Sequence, residues 1–416
     1  MRIAVIHQYY LAAGQAGGSR FNEMSRMWSE AGHEVTVLAG TVEYSTGLVP
    51  EKYQGRWITE EHDGDVRVLR CHVPSTYGKG YLGRAWAFAG FMASSSMAVR
   101  KLQHPDVVVA TSPPLVVSPS GWLASRRRFG KPVPWVFEVR DLWPESAVTT
   151  GVLSAGSPVT RVLSSLEKWS YRHADHIVVL TPAFRDDIAA RNLAAVEKMT
   201  LIPNGADTDL FHPGSRDNDL RRELGWGDRF VVMYAGAHGR ANAVGQLVEA
   251  ADLLRDRPEI LIAMVGDGPE RLQHEKEAQR RGLTNIVFHG PRPKGDMPAI
   301  VQACDVGAAV LQDNPTFRTV YPNKVFDTMA CRRPVLLAID GVARDLVCKE
   351  AQGGVFVAPE NPRALAEGIV SLYENPEDRD AMASRGLAWV QANGTRTIMA
   401  SRYLDLFNSL RSPSSP

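Results

Sequence analysis

What most constrains the fold is an alternation that runs twice along the chain. Short, continuously apolar runs rich in Val, Ile and Leu alternate with amphipathic helical stretches. In the first half IAVIH (3–7), EVTVLAG (34–40), VRVLRCHV (66–73), VVVATSP (107–113), WVFEVRD (135–141) and HIVVLTP (176–182) read as strands. Runs that are apolar on both faces suit parallel strands covered by helices on both sides. Between the first two runs, SRFNEMSRMWSEAGH carries Phe21, Met24, Trp28 and Ala31 on one helical stripe, with Ser19 placed to cap its start and Gly32 to end it. That is a βαβ unit. After the turn-rich LIPNGADTDLFHPG (201–214) the alternation restarts: VVMYAG (231–236), LIAMVG (261–266), IVFHG (286–290), VGAAVL (306–311), PVLLAI (334–339) and GVFVA (354–358). Two successive α/β blocks predict two doubly wound domains, with the division near 203–214. A last helix carries Met399, Tyr403, Leu406, Phe407 and Leu410 on one stripe and runs into RSPSSP.

The totals fit this plan and narrow the function. A chain of 416 residues is long for one core. With 44% hydrophobic and 22% charged residues it has the composition of a water-soluble globular protein. A net charge of +1 provides no global field toward nucleic acid, so an anion site must be local. Cys71, Cys304, Cys331 and Cys348 are too scattered for a zinc site or a disulfide framework, and reduced thiols in a cytosol are the expectation. MRIAVIHQYY lacks the features of a secretory leader, and no apolar run is long enough to span a bilayer.

Ligands of open α/β sheets sit at the carboxyl ends of strands, often with phosphates on helix starts. Three stretches offer that chemistry. In GQAGGSR (14–20), Gly17 and Gly18 allow close backbone approach and Arg20 adds charge, although a simple turn fits as well. The spacing fails the dinucleotide fingerprint, and strand two ends in Ala39-Gly40 where a ribose-binding acid belongs. YAGAHGRANAVGQLVEA (234–250) breaks its strand at Gly236 and Gly239 and places Arg240 before the next helical stripe; a solvent arginine on a plain loop is the alternative. In RTVYPNKVFDTMACRRPVLLA (318–338), Pro322 and Asn323 open a helix whose buried face is Val325, Phe326 and Met329. Lys324 then lies in the first turn, where the helix dipole disfavours a cation by about 0.3–1 kcal/mol. A pyrophosphate at that helix start removes the conflict, since lysine, free N–H groups and dipole all favour the anion. A snorkelling surface lysine, with Asp327 merely solvated, is the competing reading.

GGSRFNEMSRMWSEAGHEVTVLAG (17–40), ATSPPL (110–115), FEVRDLWPESAVTTGVL (137–153), LIPNGADTDLF (201–211), VGDGPE (265–270) and PNKVFDTMACRRPV (322–335), in this order, resemble the GT-B glycosyltransferases of family 4, particularly the bacterial branch of surface-polysaccharide and fucosamine transferases. The resemblance covers nearly the whole chain. It implies an α/β GT-B fold of two Rossmann-like domains facing across a cleft. Residues 1–203 would form the acceptor-side domain and 204–395 the nucleotide-sugar-binding domain, with the helix 396–411 crossing back to the first. The implied reaction is transfer of a hexosyl or N-acetylaminosugar group with retention, from a nucleotide-sugar donor (UDP favoured over GDP) to an acceptor hydroxyl. No metal or other cofactor is expected.

Carried onto this sequence, Arg240 and Lys324 become the clamp on the donor pyrophosphate, and Asp141 the acceptor-side catalytic acid or base, with Arg20, Glu138 and Glu145 near it. Gly17, Gly18, Gly236, Gly239, Gly266, Gly268, Thr319 and Asp327 fall at donor-binding positions. Asp327 takes the second acid of the family's E-x7-E motif, but Thr319 replaces the first, which ordinarily holds sugar hydroxyls. The family's Arg-x4-Lys spacing is also broken, since GAHGRANAVG (236–245) contains no lysine. As a structural alternative, Asp141 caps or pairs with Arg140 or Arg172.

YLGRAWAFAGFMASSSMAVRKL (81–102) concentrates Leu82, Trp86, Phe88, Phe91 and Met92 at one end, with Lys79, Arg84, Arg100 and Lys101 around it and the basic SRRRFGK (125–131) beyond. Such a helix either lies on a membrane carrying a lipid-linked acceptor, at the inner face of the cell membrane, or packs in the first core. Two further functions share the expected scaffold: a nucleotide-sugar epimerase and a non-catalytic nucleotide-sugar-binding partner. An NAD-dependent oxidoreductase is disfavoured by the failed fingerprint.

Overall fold

The structure is a computed structural model that describes residues 1–12, 20–43, 46–77, 80–126 and 132–411, with the side chains of 81 and 82 excepted. Gly17, Gly18, Ser19 and Lys79, the Leu82 side chain and most of the basic run 125–131 therefore lie outside the described residues. The chain divides into two compact units: Met1–Pro203 with Arg396–Pro416, and Asn204–Thr395.

Unit 1 is built on an eight-stranded sheet: β1 (Arg2–His7), β2 (Glu34–Gly40), β3 (Ile58–Asp63), β4 (Val66–Cys71), β5 (Val107–Ser112), β6 (Trp135–Val139), β7 (His176–Val179) and β8 (Met199–Leu201). Their order is β3-β4-β2-β1-β5-β6-β7-β8. Every pairing is parallel except β3 with β4. β3 and β8 are absent from the reading of apolar runs, and β3 shows why. ITEEHD is an edge strand whose acids are held by the adjacent strand, Glu60 by Arg67 at 2.8 Å and Glu61 by Arg70 at 2.6 Å. An edge needs no apolar run, and its charges block pairing with other chains.

Trp28, on the helix Arg20–Glu30, is wholly buried against the C-terminal helix Arg396–Arg411. Its indole donates to the Ala400 carbonyl at 3.0 Å and its ring meets those of Tyr403 and Phe407. The last helix thus completes the core of unit 1, because its apolar stripe has no partner until it covers β1 and β2.

Unit 2 has β9 (Phe230–Ala235), β10 (Ile260–Val265), β11 (Ile286–Gly290), β12 (Val306–Val310), β13 (Val335–Ala338) and β14 (Gly354–Phe356), in the order β11-β10-β9-β12-β13-β14 and all parallel. β10 and β12 are buried at every residue, as strands covered on both faces require.

Candidate active site

Strand order fixes where a ligand can enter. In each sheet the winding reverses once, between β1 and β5 in unit 1 and between β9 and β12 in unit 2. At a reversal the loops leaving adjacent strands diverge, opening a crevice at the carboxyl ends. The two strand ends at the unit 2 crevice lead to Arg240 on one side and Lys324 on the other.

Lys324 is the second residue of the helix Asn323–Ala330, which starts after Pro322 as the sequence predicts. Its Nζ stands 3.9 Å from the centre of the Tyr234 ring, a cation–π contact. It also lies against Gly236: a Cβ there would come within 2.9 Å of the amine. The missing side chain at Gly236 is what admits Lys324 to the end of β9. Burial lowers the amine from 10.5 to about 7. A desolvated amine on a positive helix end binds an anion readily, because the anion restores its charge. Arg240 begins a short 3-10 turn, Arg240–Asn242, and is exposed. Among the described residues neither Lys324 nor Arg240 takes part in a salt bridge. Both are therefore free for a ligand.

The glycines divide into two kinds. A Cβ on Gly266 (φ +130°) would collide with the Gly236 carbonyl, and one on Gly268 with the His238 carbonyl. These two glycines let the loop after β10 pack against the loop after β9, where Gly236 N–H donates to Val265 at 2.9 Å and His238 N–H to Asp267 at 2.9 Å. The lack of a side chain at both positions is what permits this close packing. Gly239 has open space beside it, the nearest atom being Asn242 Oδ1 at 3.9 Å. Thr319 closes a 3-10 turn, Phe317–Thr319, and its hydroxyl donates to the Thr316 carbonyl at 2.6 Å. Asp327 lies three residues after Lys324 on the same helix face and is partly exposed.

In unit 1, Arg20 and Glu138 meet each other. Glu138 is fully buried and ion-paired with Arg20, and accepts from the Tyr403 hydroxyl at 2.7 Å and from Thr111 Oγ1 at 2.5 Å. Arg20 also donates to the Ile202 and Pro203 carbonyls, each at 3.1 Å. Both charges thus tie β6 and the first helix to the last helix. Burial brings the Arg20 guanidinium down to about 10. Glu145 is exposed, with Arg191 at 3.7 Å.

Asp141 follows β6, is partly exposed and accepts from Ser146 Oγ at 2.9 Å. Burial raises its carboxyl above the ordinary value despite the Ser146 and Leu142 hydrogen bonds and the nearby Arg140. Of the expected alternative partners, Arg140 acts on this carboxyl through its charge, and Ser146 holds it by a hydrogen bond.

Sequence reasoning missed a polar cluster at the unit 1 reversal. His7 ends β1, Gln8 follows it and Ser112 ends β5; all three are buried, and their side-chain polar atoms have no hydrogen-bond partner. Burial, then Arg140, Arg20 and Arg70, keep the His7 ring neutral, with a pKa well below 6.5. Only burial marks these residues out, and the sequence IAVIHQYY carries no signal of it. Among the described residues no three His, Cys, Asp or Glu side chains gather as a metal site.

Residues 16–205 match the Glycosyl transferase 4-like domain and residues 216–389 match the Glycosyl transferases group 1 family. The putative colanic acid biosynthesis glycosyl transferase WcaI of Escherichia coli is 26% identical over 361 residues, 85% of this chain and 87% of that protein. The D-inositol 3-phosphate glycosyltransferase of Corynebacterium urealyticum is 27% identical over 407 residues, covering 92% and 90%. In fold, the chain is similar to sucrose-phosphate synthase from Thermosynechococcus elongatus, with a TM-score of 0.76 at 20% identity over 99% of this chain and all of that one. It is also similar to Anabaena HepE in complex with UDP-glucose, with a TM-score of 0.70 at 19% identity over 98% and 100%. With one glycosyltransferase match falling on each unit, this chain belongs to the GT-B glycosyltransferases of family 4.

Proposed function

We propose that the protein is a retaining, metal-independent glycosyltransferase that moves a hexosyl or N-acetylaminosugar group from a UDP-sugar to an acceptor hydroxyl in surface-polysaccharide assembly. The observation that carries this reading is Lys324: a desolvated amine at a helix start, lodged against Gly236 and the Tyr234 ring. There a diphosphate gains an amine, a dipole and free N–H groups together. As the bond between the anomeric carbon and the diphosphate oxygen breaks, charge grows on the leaving oxygen, and Lys324 and Arg240 stabilise it. The acceptor oxygen forms the new bond to the anomeric carbon. Its proton passes to the leaving phosphate, or to Asp141 where that carboxylate takes it as base.

UDP is supported by the HepE complexes with UDP and UDP-glucose, and the polysaccharide setting by WcaI and by the O-antigen chain mannosyltransferase C of Escherichia coli. Retention rests on the family resemblance. Metal independence rests on that resemblance and on the two cations available to the leaving group. No helix among the described residues is long and apolar enough to cross a membrane, so a lipid-linked acceptor would be met from the membrane surface.

A thermal-shift screen against nucleotide sugars tests the reading. A donor at 100 times its dissociation constant adds about 2.7 kcal/mol of stability. Arg240→Ala should remove most of that shift and most turnover. A chain that responds to no nucleotide sugar is not a transferase of this kind.

A further inference from the structure

Unit 1 contains a cavity of about 360 Å³ that the donor chemistry leaves unused. Arg84, Phe88, Ala89 and Met92 line one side from the helix Gly80–Ala98, and Trp143 and Leu153 face them. Ala85 and Ala89 put only a methyl group each into the lining. Among the described residues, Arg84 is the one ionisable group in the lining. Its guanidinium stacks over Tyr77 at 5.3 Å, and the residue is exposed. The apolar surface continues outward through Val152 and Val159, 44% and 47% exposed, and Trp86 on the same helix is 64% exposed. Trp143 N–H donates to the Asp141 carbonyl at 2.9 Å, which ties this wall to the acceptor-side acid.

We propose that this cavity holds one hydrocarbon chain of a phosphate-bearing lipid acceptor, with Arg84 on the phosphate. A sugar or nucleotide would leave its polar groups unpaired against this lining. One turn of a helix, about 10 Å across and 5.4 Å long, fills roughly 420 Å³ and exceeds the 360 Å³ of this cavity, whereas a single hydrocarbon chain does not. A cation at the mouth suits an amphiphile with an anionic head, and exposed apolar residues around the opening suit a membrane surface. The role assigned to the chain rests on the transferase reading above; the cavity's occupancy does not.

The test is calorimetric titration with octyl phosphate and dodecyl phosphate below their micelle concentrations, with inorganic phosphate as control. Each methylene entering the cavity should tighten binding about fourfold, giving about two orders of magnitude from octyl to dodecyl. Ala89→Trp should weaken dodecyl phosphate at least tenfold while the thermal shift with UDP is unchanged. Ala85→Leu serves as a second, gentler filling. Arg84→Gln should reduce the preference for dodecyl phosphate over dodecyl maltoside.

Affinity independent of chain length, or unaffected by both filling variants, overturns the proposal. Flotation on anionic vesicles that is lost in Trp86→Glu, without alkyl phosphate uptake by the unaltered protein, also overturns it in favour of surface contact alone. Concentration-dependent dimerisation abolished by Ala89→Trp, again without uptake, would assign the cavity to a second copy. A normal UDP response beside any of these failures leaves the transferase reading standing.

Discussion

Replacing Lys324 by methionine removes a charge while keeping a side chain of similar reach against Tyr234. Burial lowers the amine from 10.5 to about 7. At 1.36 kcal/mol per pH unit, this corresponds to about 5 kcal/mol in favour of the neutral form. Remaining solvent contact brings the expected gain from Lys324→Met to about 2–4 kcal/mol, and relief at the helix start adds about 0.3–1 kcal/mol. For a unit of this size, each kcal/mol raises the melting temperature by about 2–4 °C, so a rise of about 5–15 °C is expected at pH 6.5. Between pH 7 and 10.5 the unfolded chain holds a proton that the folded unit has shed, so wild-type stability climbs with pH. The gap to the variant is therefore largest below pH 7 and closes toward pH 10.5. Thermal unfolding at pH 6.5, 8.0 and 9.5, with and without UDP, measures it. With saturating UDP the order should shift toward the wild type, because only its amine gains an anion. No gain at pH 6.5, or a gap that stays constant to pH 9.5, refutes the account of Lys324 as a desolvated cation held for a ligand.

Three other outcomes follow from the same geometry. At pH 7.5 an amine with a pKa of about 7 is mostly neutral, so UDP binding should take up about 0.7 proton, read from calorimetry in buffers of different ionisation enthalpy; no uptake separates Lys324 from the diphosphate. Asp141→Asn should keep the UDP thermal shift while lowering turnover about 10²–10⁴-fold, and wild-type turnover should fall as pH drops through the raised Asp141 value; an unchanged rate removes Asp141 from the chemistry. Glu138→Gln leaves the Arg20 guanidinium buried without its counter-charge and should cost about 3 kcal/mol, lowering the melting of unit 1 with the UDP response intact. A variant that melts normally shows that the pair does not hold the unit together.

The sites were legible in the sequence to different depths. Lys324 could be found from a local conflict, a cation in the first turn of a helix, since helix start and charge lie within three residues. Arg240 could be found from the glycines that break β9. The pairing of Glu138 with Arg20 was not legible, because a charged residue in a functional-looking motif reads alike whether it meets a ligand or another buried charge. Their pairing with Tyr403 joins residues 20, 138 and 403, a separation that no local pattern reports. The packing at Gly266 and Gly268 was hidden for a related reason: a loop glycine signals close approach without saying to what. β3 escaped notice because edge strands need no apolar run.

The sequence by itself determined the repeating strand–helix units, the two sheets they build and the helix start at Asn323, because these depend on short-range periodicity and on the local preferences of Pro, Asn and Gly. The tertiary structure decided everything that depends on which strand ends become neighbours. It set the reversals between β1 and β5 and between β9 and β12, and it brought Lys324 into the space left by Gly236. It buried His7 and Glu138 and hollowed the cavity behind Trp143. The physical reason is that burial, desolvation and close approach are collective properties of packed elements, whereas a helix cap or an apolar stripe is carried by a few consecutive residues.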